Sequence, residues 1–507
     1  MTSIQYKGFK VICYYTGSII LGFSLLFLLP IAVGALYSDL NSIFDFTITM
    51  SISILLALSM MRYGKITRSL KDPITWRYGL VVASLTWVLL TMLSAVPYVL
   101  SGHMGSYLDA CFDVMSGFTT TGVFLLKDID HISQALNFWR HMLTFIGGQG
   151  MVVLTLSFFI KEMGGAYKFY VGEGKDIALV PNVKGTAQWI WKISMVYLAI
   201  GTLMLWISAM GLGLQPLSAF FHAIYIFEGA WSTGGFAPNL QNIMYYHDFG
   251  FELIGMLFFI IGSFNFGLHY ALIKGKKTEF FKNIEIISFA VTSFLATALA
   301  VYALESSGLY TDAIGLFRRV VYNVLSAHTT TGFGSIFARQ FALEWGGLGI
   351  TVMVIAMLIG GSACSTAGGI KGLRVGIVFK GIIADIKKLI SSEKQVRVVK
   401  YHHIKDQILD DAVFRSAAVV MILYIVMFVV GVIISTLYGY PLADSAFEVA
   451  SVSGNVGLSI GIISPTMPTV MKVYYMLAMY MGRLEFISIF ALLGLFIKGV
   501  KQWLKLY

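Results

Sequence analysis

The sequence predicts an all-α membrane protein: four fused helix–pore-loop–helix repeats around one pseudo-fourfold pore, preceded by an N-terminal helix pair. Three observations predict it. The 507-residue chain is 57% hydrophobic and only 12% charged, and its apolar runs of about 20 residues match a bilayer crossed as helix. Four times a short helix-like stretch runs into a glycine after Thr or Val, at Thr121-Gly122, Thr233-Gly234, Thr331-Gly332 and Val456-Gly457. These glycines lie 112, 98 and 125 residues apart, room for two crossings and a re-entrant segment.

Apolar spans fall at 11–37, 43–61, 78–100, 137–160, 187–211, 250–273, 284–304, 345–383, 412–437 and 469–497. The first two make the N-terminal pair, residues 1–76. The run from Val11 to Leu36 is too long for a signal-peptide core and has no convincing cleavage site, so it is read as retained. The other eight spans form four couples, giving repeats at 77–186, 187–282, 283–405 and 406–507. Within each couple lies a shorter segment, at 107–124, 216–236, 313–334 and 441–461, too short to cross but long enough to dip in and return.

The repeat extends beyond the loops. Nine residues before the aligned glycines stand Asp113, Tyr225, Asn323 and Glu448, and small-residue breaks begin downstream at Gly147, Gly262, Gly360 and Gly482. Four breaks in register imply four equivalent inner helices. The acids Asp113, Glu228 and Glu448 admit two readings at this stage, concentrating cations or bracing the short helices.

The 36 Lys and Arg outnumber the 26 Asp and Glu, but the excess gathers in the stretches 61–76, 161–192, 274–282 and 371–405. By the positive-inside rule these loops and both termini are cytoplasmic, and the glycine loops enter from outside. Basic juxtamembrane loops account for the charge, so no nucleic-acid partner is expected. Cys13, Cys111 and Cys364 have no metal or disulfide spacing, and none of the nine histidines has a ligand partner at metal-site spacing. GEGK at 172–175 lacks the full phosphate-loop pattern. No catalytic constellation emerges, so the chain is not read as an enzyme.

A dehydrated monovalent cation needs oxygens in place of its water shell, and four loops can supply a ring of backbone carbonyls without burying charged side chains. Glycine allows successive carbonyls to face an axis, while hydroxyls of Thr119 to Thr121 and Thr329 to Thr331 pin the loops from behind. The short helices would aim their partly negative C-terminal ends at the same point.

The motifs STGGFAPN (232–239), TTTGFG (329–334), GSACSTAGGIK (361–371) and GRLE (482–485) resemble the TrkH/TrkG branch of the Trk/Ktr/HKT superfamily of potassium transporters, along nearly the whole chain. The N-terminal helix pair resembles Trk rather than the shorter KtrB form. The resemblance implies potassium uptake at the cell (inner) membrane, with the ion as cargo, by a homodimer with one pore per protomer, surrounded by lipid. It also implies a cytoplasmic TrkA-type subunit that binds nucleotide, since this chain carries no dinucleotide fold of its own. The implied selectivity filter comprises Thr120, Thr121, Gly122, Thr233, Gly234, Thr330, Thr331, Gly332, Asn455, Val456 and Gly457. Plant HKT relatives with serine at the first filter position are associated with sodium transport, and Gly122 stands there in this chain. The position of Cys364 is often glycine in the family.

Gly360, Gly361, Ser362, Ser365, Gly368 and Gly369 crowd the middle of one span, where poor helix formers leave a polar loop that could plug the pore. With Thr366, Lys371 and Arg483 they form the expected gate; close helix packing through Gly361, Ser365 and Gly369 is the competing reading. Arg483 sits about 22 Å along the last span at 1.5 Å per residue, which makes it the most expensive residue of the chain in a membrane and the family's pore arginine by resemblance. A salt bridge to Glu485 or another acid is its alternative role. Sodium- or proton-coupled symport, or a weakly selective potassium/sodium channel, is the alternative function. A carrier with inverted halves, a voltage-gated channel and a non-transporting receptor fit less well, because the repeats share one orientation and no span is arginine-rich.

Overall fold

Six helices among the described residues are long and apolar enough to cross a membrane: Gly8–Leu36, Leu40–Gly64, Tyr78–Leu100, Lys184–Gly211, Ile284–Ser306 and Asp411–Leu437. Their 23 to 29 residues extend about 35–43 Å, sufficient for a hydrocarbon core of about 30 Å. Leu55, Phe294 and Ile422 stay exposed on these helices, as a lipid-facing surface requires. The computed structural model describes residues 3–64, 76–150, 153, 183–306, 308, 310, 312–390 and 398–503.

The N-terminal pair packs on the first repeat. Phe23, Phe27 and Phe46 surround Trp139 of the helix Gln134–Gln149, with ring centroids 5.9, 4.6 and 5.8 Å from the indole. Each repeat then places a long outer helix, a short pore helix and an inner helix around one axis, and among the described residues three of the inner helices are broken. The pore helices are Tyr107–Phe118, Pro216–Trp231, the consecutive turns Ala313–Leu316, Phe317–Val321 and Tyr322–His328, and Leu442–Gly454. Their starts carry the residues that helix starts favour: Ser106 accepts from the Asp109 N–H at 3.1 Å, Asp312 accepts from the Gly315 N–H at 2.6 Å, and Pro216 opens the second.

Near the small-residue breaks read from the sequence, the apolar stretches of the inner helices are interrupted. The apolar stretch at 250–273 is two helices, Phe249–Gly262 and Phe266–Ile273, bent by 98°, and 469–497 is Thr469–Leu484 and Ile487–Ile497, bent by 119°. In the third repeat Gly346–Leu358 and Gly372–Ile390 are separated by a loop, and in the first the helix ends at Gln149. Close approach gives the reason for glycine near the breaks. A Cβ on Gly147 would lie 1.9 Å from the Phe118 carbonyl oxygen, on Gly262 2.3 Å from that of Trp231, and on Gly482 2.4 Å from that of Ser453. Three inner helices thus press on the end of their own repeat's pore helix.

The chain is not wholly α. Part of the basic stretch 371–405 enters an antiparallel hairpin, Lys400–His403 with Lys405–Ile408, pairing Lys400 with Ile408 and His403 with Lys405. The basic residues at 65–75 and 161–182, GEGK at 172–175, and Lys394 and Arg397 lie outside the described residues. Cys13, Cys111 and Cys364 are free thiols, and no group of three or more metal-ligating side chains occurs among the described residues.

Candidate functional site

After each pore helix the backbone turns back in the same way. Thr120, Thr233, Thr330 and Asn455 take left-handed φ values of 56, 51, 57 and 56°. The next residue in each loop, Thr121, Gly234, Thr331 and Val456, returns its N–H at 2.8 Å to the carbonyl five residues earlier, closing the pore-helix end. A second left-handed residue follows in each: Gly122, Gly235, Gly332 and Gly457, at 88, 58, 82 and 101°. The second loop is therefore registered one residue later than the Thr-Gly pattern suggested. Gly235, not Gly234, is the partner of Gly122, while Gly234 occupies the place of Thr121.

The four loops close on one another. A Cβ on Gly122 would meet the carbonyl oxygen of Gly234 at 2.5 Å, one on Gly235 that of Thr331 at 2.2 Å, one on Gly332 that of Val456 at 2.0 Å, and one on Gly457 that of Thr121 at 2.2 Å. Each glycine thus abuts the next loop's carbonyl, and the circuit returns to its start. Side chains pin the ring from behind: Thr119 to Thr121 and Thr329 to Thr331 pair through their hydroxyls at 2.8 Å, and Asn455 Nδ2 donates to Thr121 Oγ1 at 3.0 Å.

Polar side chains of three pore helices, two of them acids, brace these loops. Asp113 accepts from the Leu125 N–H at 2.6 Å, Asn323 from the Ser335 N–H at 3.2 Å, and Glu448 from the Ile460 N–H at 2.9 Å, each three residues beyond the glycine. In the corrected register the second loop pairs Ile226 with Pro238. Proline has no N–H, so no acceptor is needed there. Tyr225 instead stacks on His141, ring centroids 4.5 Å apart.

Directly beneath runs the loop 359–371. Gly368 donates its N–H to Thr330 Oγ1 at 2.7 Å, and Thr366 Oγ1 donates to the carbonyls of Trp231 and Gly262 at 3.0 and 2.8 Å. Lys371 folds back onto the Ala367 carbonyl. Cys364 adopts a left-handed φ of 52°, the conformation glycine holds without strain. Gly360, Gly361, Ser362, Ser365, Thr366, Gly368 and Gly369 are all gathered here.

Arg483 reaches this loop from the break of the fourth inner helix. Its Nη1 donates to the Thr366 carbonyl and its Nη2 to those of Gly147 and Gly148 at 2.7 and 2.9 Å. Glu485, the acid named as its alternative partner, binds Arg374. Sequence reasoning missed a fully buried arginine, Arg140, whose guanidinium lies 4.4 Å from the Phe236 ring centroid beside the second loop. An arginine inside an apolar span is the signal that would have found it.

A family model described as a cation transport protein, TrkH, matches residues 45–495. The chain belongs to the TrkH family. It is 27% identical to the Trk system potassium uptake protein TrkG of Escherichia coli (strain K12), over 94% of this chain and 96% of that one. Identity to TrkH of the same strain is 25%, over 96% and 98%, and to an uncharacterised cation transporter of Methanocaldococcus jannaschii 27%, over 96% and 95%. The fold matches the crystal structure of the potassium transporter TrkH from Vibrio parahaemolyticus with TM-score 0.80 at 24% identity, covering 96% of this chain and 98% of that one. As a TrkH-family member the chain is a cation transport protein.

Proposed function

We propose that this chain takes up potassium across the cell (inner) membrane through a channel-like pore whose filter is the ring of four glycine loops. The closed circuit of carbonyls carries the reading: four loops with matched left-handed turns, each seated on the next, are what a dehydrated cation needs to exchange water for oxygen. The coordinating set is the backbone of Thr120 to Gly122, Thr233 to Gly235, Thr330 to Gly332 and Asn455 to Gly457. The loop Gly360 to Lys371 with Arg483 is the gate, obstructing the path below the ring and setting a positive charge against cations. The names of the relatives from Escherichia coli support potassium as cargo of a Trk system; in this reading a TrkA-type nucleotide-binding subunit docks on the cytoplasmic side of a homodimer. Both termini are assigned to that side by the loop charges.

Expression in a cell lacking potassium uptake tests the reading at low external potassium. The native chain restores growth, whereas Gly122→Ser and Gly332→Ser abolish it or admit sodium. Equal growth with both substitutions removes the filter assignment.

A further inference from the structure

Glu285, in the first turn of the helix Ile284–Ser306, is 1% exposed, and three donors converge on its carboxylate. Oε1 accepts the Ala363 N–H at 2.6 Å. Oε2 accepts from Asn265 Nδ2 at 3.2 Å and pairs with His403 Nε2 at 3.1 Å. The three donors come from the loop beneath the ring, the break in the second inner helix and the cytoplasmic hairpin. Asn265 also donates to the Ala363 carbonyl at 2.6 Å, so both backbone polar groups of that residue are held. Next along the chain, the Cys364 carbonyl accepts the Phe266 N–H at 3.3 Å.

Beside this junction lies a cavity of about 780 Å³ whose wall includes Ala363 and Lys371 of the loop, Tyr401 and His403 of the hairpin, and Arg374 with Glu485. The loop therefore has room to move sideways once its peptide is released. A buried carboxylate that loses one of its donors is left short of the interactions that offset its desolvation, so the set holds or fails together. The hairpin is also fixed from the adjacent residue, His402 Nε2 lying 2.9 Å from Glu279 Oε2.

We propose that Glu285 is a positioning residue that latches the loop 359–371 beneath the ring, and that His403 makes the cytoplasmic hairpin part of the latch, so that displacing the hairpin frees the loop. The inference rests on reading that loop as the gate, and it adds the element through which a cytoplasmic movement reaches it. The chemistry needed is one donor from the hairpin to one buried carboxylate, and a glutamine at 403 can supply it.

Cys364, 5% exposed and next to the latched peptide, reports loop release. In the purified full chain carrying Cys13→Ser and Cys111→Ser, the modification rate of Cys364 by N-ethylmaleimide is measured together with rubidium flux in proteoliposomes. His403→Ala and Glu285→Ala are expected to raise the labelling rate about tenfold, the population change produced by about 1.4 kcal/mol, while His403→Gln stays within about twofold. Unchanged labelling in His403→Ala, with a monodisperse elution profile, overturns the latch even if Glu285→Ala fails to fold. An equal rise in His403→Gln also overturns it. Faster labelling without faster flux keeps the latch and removes the reading of the loop as gate; cation selectivity is scored separately at the ring.

Discussion

The guanidinium of Arg483 donates to the backbone carbonyl of Thr366, tying a cation on the fourth inner helix to the loop directly under the glycine ring. The same side chain spans to the end of the first inner helix through Gly147 and Gly148. One residue thus links the loop below the ring to two inner helices through hydrogen bonds.

Neutralising Arg483 should accordingly increase flux. Two unit charges about 4 Å apart interact by about 1 kcal/mol even in bulk water and by more where water is excluded; for a barrier of that order, Arg483→Gln should raise rubidium flux in proteoliposomes about five- to tenfold. Flux at or below the native rate in a monodisperse variant contradicts the barrier role.

The register of the second loop makes a sharper test. At Gly234 an added Cβ would meet the Thr144 methyl at 2.0 Å, whereas at Gly235 it would meet the Thr331 carbonyl oxygen at 2.2 Å with φ at 58°. Trimming Thr144 should therefore rescue one site and not the other. Gly234→Ala with Thr144→Ser should regain most potassium uptake, and Gly235→Ala with Thr144→Ser should remain inactive; the opposite order would restore Gly234 as the counterpart of Gly122.

Lys472 Nζ lies 2.6 Å from Asp109 Oδ1 and 2.8 Å from the Pro465 carbonyl, joining the fourth inner helix to the first pore helix. Removing only the cation leaves a carboxylate with little exposure, at a cost of about 3–5 kcal/mol. Lys472→Met should lower the thermal midpoint in detergent by several degrees, and adding Asp109→Asn should recover more than half of the loss. Additive losses would show the pair to be uncoupled.

The hairpin offers a pH dependence outside the membrane. The hydrogen bond to Asp406, then Glu279, raises the His402 imidazole above its ordinary 6.5, so its contribution is full below that value and is lost as pH rises through the raised folded-state pKa. Asp406, held below its ordinary 3.8 chiefly by His402, contributes above that value and fails only under strong acid. Hydrogen exchange at 400–408, corrected for intrinsic rates, should show more protection at about pH 5.5 than at about pH 8.5, and His402→Gln should flatten the difference. A flat native profile would remove His402 as an anchor.

The four loops were legible because glycine after Thr or Val is conspicuous at the start of an apolar run. Register in the second was not, since STGGF presents two adjacent glycines and only the backbone angles and the closing hydrogen bond to Gly229 distinguish them. The fourth inner helix breaks close to the expected Gly482, but the residues of its corner were not legible. It turns at Glu485 and Phe486, both at positive φ without being glycine, and the ion pair of Glu485 with Arg374 at that corner links residues 111 positions apart. Asp113 and Glu448 kept two readings until their partners were located on the returning loops. The hairpin escaped notice because its strands are four residues each and rich in charge.

Because the ring belongs to one polypeptide, each quadrant carries its own residues: Thr121, Gly234, Thr331 and Val456 stand at corresponding places. A tetramer of identical chains would receive every substitution in quadruplicate. Here evolution can adjust a single quarter while three others keep the geometry, so the departure of Asn455-Val456 from the threonine pattern is the sort of graded asymmetry that gene fusion permits.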